Sequence, residues 1–101
     1  MEFKQLDKCL SEVDDALYMF IRSLLRVKQA CDTELNMLNL FDSEDIPDEV
    51  DQIETVKQAV ECYLFDTYKS VKPFYQCVSF LTGKCYKYME HIYDNNHLNL
   101  Y

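Results

Sequence analysis

From Phe3 to Leu38 the chain carries neither glycine nor proline, and its apolar residues return at alternating steps of three and four. Phe3, Leu6, Leu10, Val13, Leu17, Phe20, Leu24, Val27 and Cys31 keep this spacing over four heptads. A stretch so patterned is best satisfied by a long helix packed along a narrow seam. Lys8, Asp15, Arg22, Gln29 and Asn36 lie opposite that seam, and all are polar, as a solvated back face requires. Glu34 interrupts the pattern and Leu38 resumes it.

The next stretch, Phe41 to Asp51, is the one clear loop. Asp42, Glu44, Asp45, Asp48, Glu49, Asp51 and Glu54 crowd this region with carboxylates and no base. Pro47 followed by Asp48 and Glu49 suits a first helical turn. Proline has no amide to leave unpaired there, and carboxylates favour the positive end of the helix dipole. From Ile53 a second repeat continues through Val60, Leu64, Thr67, Val71, Phe74, Val78, Leu81, Cys85, Tyr88 and Ile92. Its phase survives both Pro73 and Gly83, which two separate helices need not do.

The pattern therefore predicts an all-α antiparallel hairpin in a single domain. It has a helix over about 3–40, an acidic loop over about 41–48, and a helix over about 49–94 kinked at Pro73, where the ring removes a backbone hydrogen bond. The alternative is a three-helix bundle with a break near Pro73. Residues 95–101 are expected to form a frayed tail.

Composition supports this. The 101 residues allow one domain at most, and one glycine with two prolines is too little turn chemistry for a sandwich or barrel. The net charge of −8 disfavours nucleic acid and anionic membrane surfaces as partners. No apolar run is long enough to span a bilayer. Met1-Glu2-Phe3-Lys4-Gln5 lacks a signal-peptide core, so an intracellular location, cytoplasmic or nuclear, is expected. Cys9, Cys31, Cys62, Cys77 and Cys85 are odd in number and without CxxC spacing. They are expected to be reduced thiols acting as small core hydrophobes, with Cys31 and Cys85 in the seam.

Little here resembles a catalytic centre. Cys85, His91 and His97 are six apart with only Cys77 as a fourth ligand, poor spacing for zinc. The mostly negative surroundings would not lower a thiol pKa. Asp14 with Asp15, and Glu44 with Asp45, sit where solvation is the ordinary outcome. Gly83 stands alone, so there is no phosphate loop. No enzymatic activity, cofactor, metal or small-molecule substrate is expected.

The two flanks of the seam differ. One is small on the first helix, with Cys9, Ala16, Ser23 and Ala30. The other gathers Tyr18, Ile21, Leu25 and Leu35 on the first helix with Phe65, Tyr68, Tyr75, Tyr86, Met89 and Tyr93 on the second. A two-helix hairpin has nothing of its own to cover so many apolar and aromatic side chains, and such a patch marks an interface. The expected partner is another helical protein or a second copy, completing a bundle of about four helices. The alternative is that the chain folds back at Pro73 and covers the flank itself.

The acidic residues Asp42, Glu44, Asp45, Asp48 and Glu49 could dock a basic surface, and Ser43 stands in an acidophilic kinase context. The function expected is a non-enzymatic helical interaction subunit, an adaptor or scaffold component of an assembly. The alternative is a self-contained helical regulator or viral modulator presenting a groove to a partner's helix.

Overall fold

In the computed structural model, residues 2–41 and 47–94 are described. They form three helices: α1 (Lys4–Phe41), α2 (Pro47–Thr82) and α3 (Lys87–Asp94). No strand occurs among the described residues. The helices α1 and α2 make an elongated antiparallel hairpin within a body of 65 × 23 × 16 Å. None of these helices is long and apolar enough to cross a membrane. The loop residues Asp42, Ser43, Glu44 and Asp45, and the tail including His97, lie outside the described residues. Asp48 and Glu49 occupy the first turn of α2 and are exposed.

The second helix differs from the expected span of about 49–94. It runs without interruption through Pro73 and stops at Thr82, so a break near Pro73 is not what divides it. The stop is at Gly83, whose φ of 68° is the left-handed conformation that side chains resist. The Gly83 amide donates to the Ser79 carbonyl at 2.8 Å, closing the last turn. Residues 83–86 reverse the chain, and α3 returns along the hairpin.

Local sequence supplies no capping side chain for α3. Its Glu90 amide bonds the Tyr86 carbonyl, which puts Tyr86, a residue without a capping oxygen in reach, at the helix start. The cap comes from α1 instead. Asp14 accepts the Met89 amide at 2.8 Å on Oδ1 and the Tyr88 amide at 3.2 Å on Oδ2. The carboxylate thus answers two of the orphan donors of the first turn and sits at the positive end of the dipole.

Adding a third helix changes which residues form the core. Leu10, Ile21, Val60, Leu64, Val71, Tyr75, Val78, Tyr86, Met89 and Ile92 are buried together, with Leu17, Leu24, Tyr68 and Tyr93 against them. Leu64 and Met89 are fully enclosed, and each contributes about 1.5–3 kcal/mol by leaving water. On α1 the expected seam is only half realised. Leu10, Leu17, Leu24 and Cys31 face inward, whereas Leu6, Val13, Phe20 and Val27 are exposed. Phe74 and Leu81 of α2 are exposed in the same way. Each helix is rotated toward α3, which turns one of its two apolar rows outward. The cysteine expectation also changes: all five thiols are free, but only Cys31 is buried, and Cys85 lies exposed in the reversal.

Candidate interaction surface

The tyrosine flank is where α3 packs. Ile21, Tyr75, Tyr86 and Met89, expected to await a partner, are buried within the chain itself. Tyr68 and Tyr93 are half-buried against them. Tyr18 stacks on Tyr88 of α3 with ring centroids 4.3 Å apart, and Tyr75 meets Tyr93 at 5.4 Å. Gln76 Nε2 donates to the Tyr93 hydroxyl at 3.3 Å. So the structure does bring most of these residues together, but much of the cover is supplied by α3. Leu35 and Phe65 stand apart. Leu35 is half-buried farther along α1, and Phe65 is exposed beneath the Lys69 ammonium.

A polar clamp ties down the start of this packing. The Tyr86 hydroxyl donates to Asp7 Oδ1 at 2.9 Å, and Lys84 Nζ donates to Oδ2 at 2.7 Å. Hydrogen bonds from Lys84 and Tyr86 hold the Asp7 carboxyl below its ordinary value. Burial raises Tyr86 and pushes Tyr75 up to about 12, helped by the Cys85 thiol and by Glu90.

Beyond α3 the same flank is finished with charge. Lys57 Nζ lies 2.6 Å from Asp32, and Lys28 lies 4.0 Å from Glu61 with its stem buried. Such lysines cover apolar surface with their methylenes while keeping the ammonium paired. What stays open between these pairs and α3 is a groove of about 340 Å³. Tyr18, Ile21, Leu25, Tyr68 and His91 are among the residues lining it.

The opposite flank has no such cover. Leu6, Val13, Phe20 and Val27 fall seven residues apart, and so on one line of α1. Beside them run the small residues Cys9, Ala16, Ser23 and Ala30. The facing flank of α2 carries Val56, Tyr63, Phe74 and Leu81, with Ala59, Ser70 and Cys77. Phe20 is 47% exposed, Tyr63 59% and Phe74 41%. Val13, Phe20, Tyr63 and Phe74 line a shallow groove of about 520 Å³ between the helices.

Two features make this surface more apolar than its composition suggests. The Thr67 and Ser70 hydroxyls donate back to the carbonyls of Tyr63 and Asp66, each at 2.7 Å, so they do not seek outside partners. By helical period, the charged side chains on the flank between Leu6 and Ala30 and between Gln52 and Leu81 are Glu12 and Arg26 at its α1 rim and Asp66 on α2, which also lines the groove. In a chain that is 28% charged, a gap of this size is selective.

Sequence periodicity found Leu6, Val13, Phe20, Val27, Phe74 and Leu81 but assigned them to the interior, and it passed over Val56 and Tyr63. The signal that could have placed them was the width of the apolar arc on α1. It spans both the Val13–Phe20 row and the Tyr18–Ile21–Leu25 side, more than one neighbouring helix can bury. No group of three or more metal-ligating side chains occurs among the described residues. No family model, curated protein or solved structure matches the chain.

Proposed function

We propose that this chain is a non-enzymatic helical interaction subunit that contributes a preformed helical pair to a larger bundle. One observation carries the proposal: the uncovered, nearly charge-free flank of Val13, Phe20, Tyr63 and Phe74, set between helices whose other side is already packed. Contiguous apolar surface rimmed by polar residues is the mark of a docking face. The docking side is therefore proposed opposite the tyrosines.

The experiment is isolation of the tagged full chain from the cells that make it, beside the variant Phe20→Glu/Phe74→Glu. A defined assembly present with the wild type and absent with the variant is expected. A wild-type chain that travels alone as a monomer in that extract overturns the proposal.

The groove beside α3 favours a second reading, a self-contained bundle that receives one helix of a partner. An amphipathic peptide whose binding is abolished by Leu25→Glu, and unaffected by Phe20→Glu, would support this reading over the first.

A further inference from the structure

We infer that the occupant of the nearly charge-free flank is a second copy of this chain, packed face to face so that two hairpins make a four-helix core. The inference rests on the interaction-subunit proposal and names its partner.

Size is the first argument. From Leu6 to Val27 the flank is about 32 Å long at the helical rise, and two helices are about 20 Å wide. That outline is roughly 640 Å². Side-chain relief raises it toward the roughly 800 Å² per partner of a standard specific interface. A single docked helix, about 10 Å across, would cover half of it. A second hairpin covers all of it.

Self-complementarity is the second. A twofold interface uses one patch against itself, so the patch must contain both projections and hollows. This one does: Phe20, Tyr63 and Phe74 project, while Ala16, Ser23, Ala59 and Ser70 lie between them.

Charge is the third. A foreign partner steered by electrostatics would be met by several charges on the face, whereas Asp66 is the one charged side chain among the described residues lining this groove. Each copy carries −8, but among the described residues between Leu6 and Ala30 and between Gln52 and Leu81 only Glu12 and Asp66 bring carboxylates to this flank. Two copies can therefore approach through a surface on which few of their charges meet.

Sedimentation equilibrium of the purified full chain, over a range of concentrations, tests this. The wild type is expected at twice 12.1 kDa, falling to 12.1 kDa on dilution. Phe20→Glu/Phe74→Glu is expected to stay monomeric with its helical circular dichroism intact. Leu25→Glu, on the other side, is expected to dimerise like the wild type.

A measurement on unmutated protein stands beside it. Cys9 and Cys77 lie on the flank, and Cys62 lies on the back of α2. Alkylation of the first two should slow on the order of tenfold where dimer exceeds monomer by that factor, with Cys62 unchanged. A wild type that remains 12.1 kDa at every concentration overturns the inference. So does a dimer that survives the double substitution, or one that protects Cys62 and not Cys9. A heteromeric assembly in the native extract that needs Phe20 and Phe74, with the purified chain monomeric, overturns the second copy while leaving the interaction-subunit proposal standing.

Discussion

The two flanks of the α1–α2 hairpin are built from the same helices and end differently. On one, aromatic and mixed polar residues are covered by α3, capped by Asp14 and finished by the Lys57–Asp32 and Lys28–Glu61 pairs. On the other, aliphatic and aromatic residues at heptad spacing are left open, with Asp66 the one charged side chain among the described residues lining the groove between them. The contrast teaches that aromatic richness alone does not mark the uncovered side. Tyr75 and Tyr86 carry hydroxyls that the fold itself satisfies or shields, whereas Val13 and Phe20 have only area to offer. Uncovered apolar area with little charge nearby is what the proposed interface rests on.

The contrast can be broken most forcefully from the covered side. Met89→Ala leaves a cavity where the side chain is fully enclosed and is expected to cost about 2–5 kcal/mol in urea unfolding. An equal truncation on the open flank, Val13→Ala, should fall within about 0.5 kcal/mol in dilute protein. Similar losses at both sites would erase the distinction.

Next in size is Asp14→Ala. It strands the Tyr88 and Met89 amides and should cost about 1–3 kcal/mol. Hydrogen exchange should accelerate through α3 while α1 and α2 stay protected. Asp14→Asn, which keeps a capping oxygen, should recover much of the loss.

Gly83→Ala is smaller, about 1–2 kcal/mol, because the φ of 68° disfavours a β-carbon although no atom lies within 4 Å of it. Thermal unfolding of the purified variant measures it.

The smallest effects are expected in the pH dependence, which should belong to the covered side alone. Asp7 has its pKa lowered in the fold. Its contribution is complete above the ordinary value of 3.8 and is lost as pH falls through the lower folded value. Tyr75 is raised, so its contribution is complete below pH 10.0 and is lost as pH rises toward about 12. Unfolding midpoints across pH should flatten on the acid limb with Asp7→Asn and on the alkaline limb with Tyr75→Phe. An open-flank variant should leave both limbs unchanged.

The long helices were legible because their signals are local and repeated. The Leu10–Leu17–Leu24–Cys31 row and the Lys57–Leu64–Val71–Val78 row each declare a helix and the face it buries, and Pro47 with two acids declares the second start. The reversal at Gly83 was hidden by a coincidence of phase. Leu81, Cys85, Tyr88 and Ile92 keep the spacing of one helix, although Cys85 sits in the turn and Tyr88 and Ile92 belong to α3. The start of α3 was hidden for a stronger reason, since its cap resides on another helix.

The surface was partly legible in the same sense. Periodicity shows that Leu6, Val13, Phe20 and Val27 want burial. It does not show that a third helix on the tyrosine side rotates them away from it. That depends on how far each helix turns about its axis, which is a property of the packed assembly.

The distant cap has a consequence for the order in which the molecule is made. A helix of eight residues is well short of the roughly 12–15 needed for even marginal stability in isolation. Its capping carboxylate was laid down 74 positions earlier than Tyr88. Pairing of α1 and α2 must therefore precede the docking of α3. Until then the tyrosines are bare, and α3 takes shape only on a template already in place. Assembly therefore has a direction: the hairpin comes first, its lid second, and in unfolding the lid leaves before the hairpin parts.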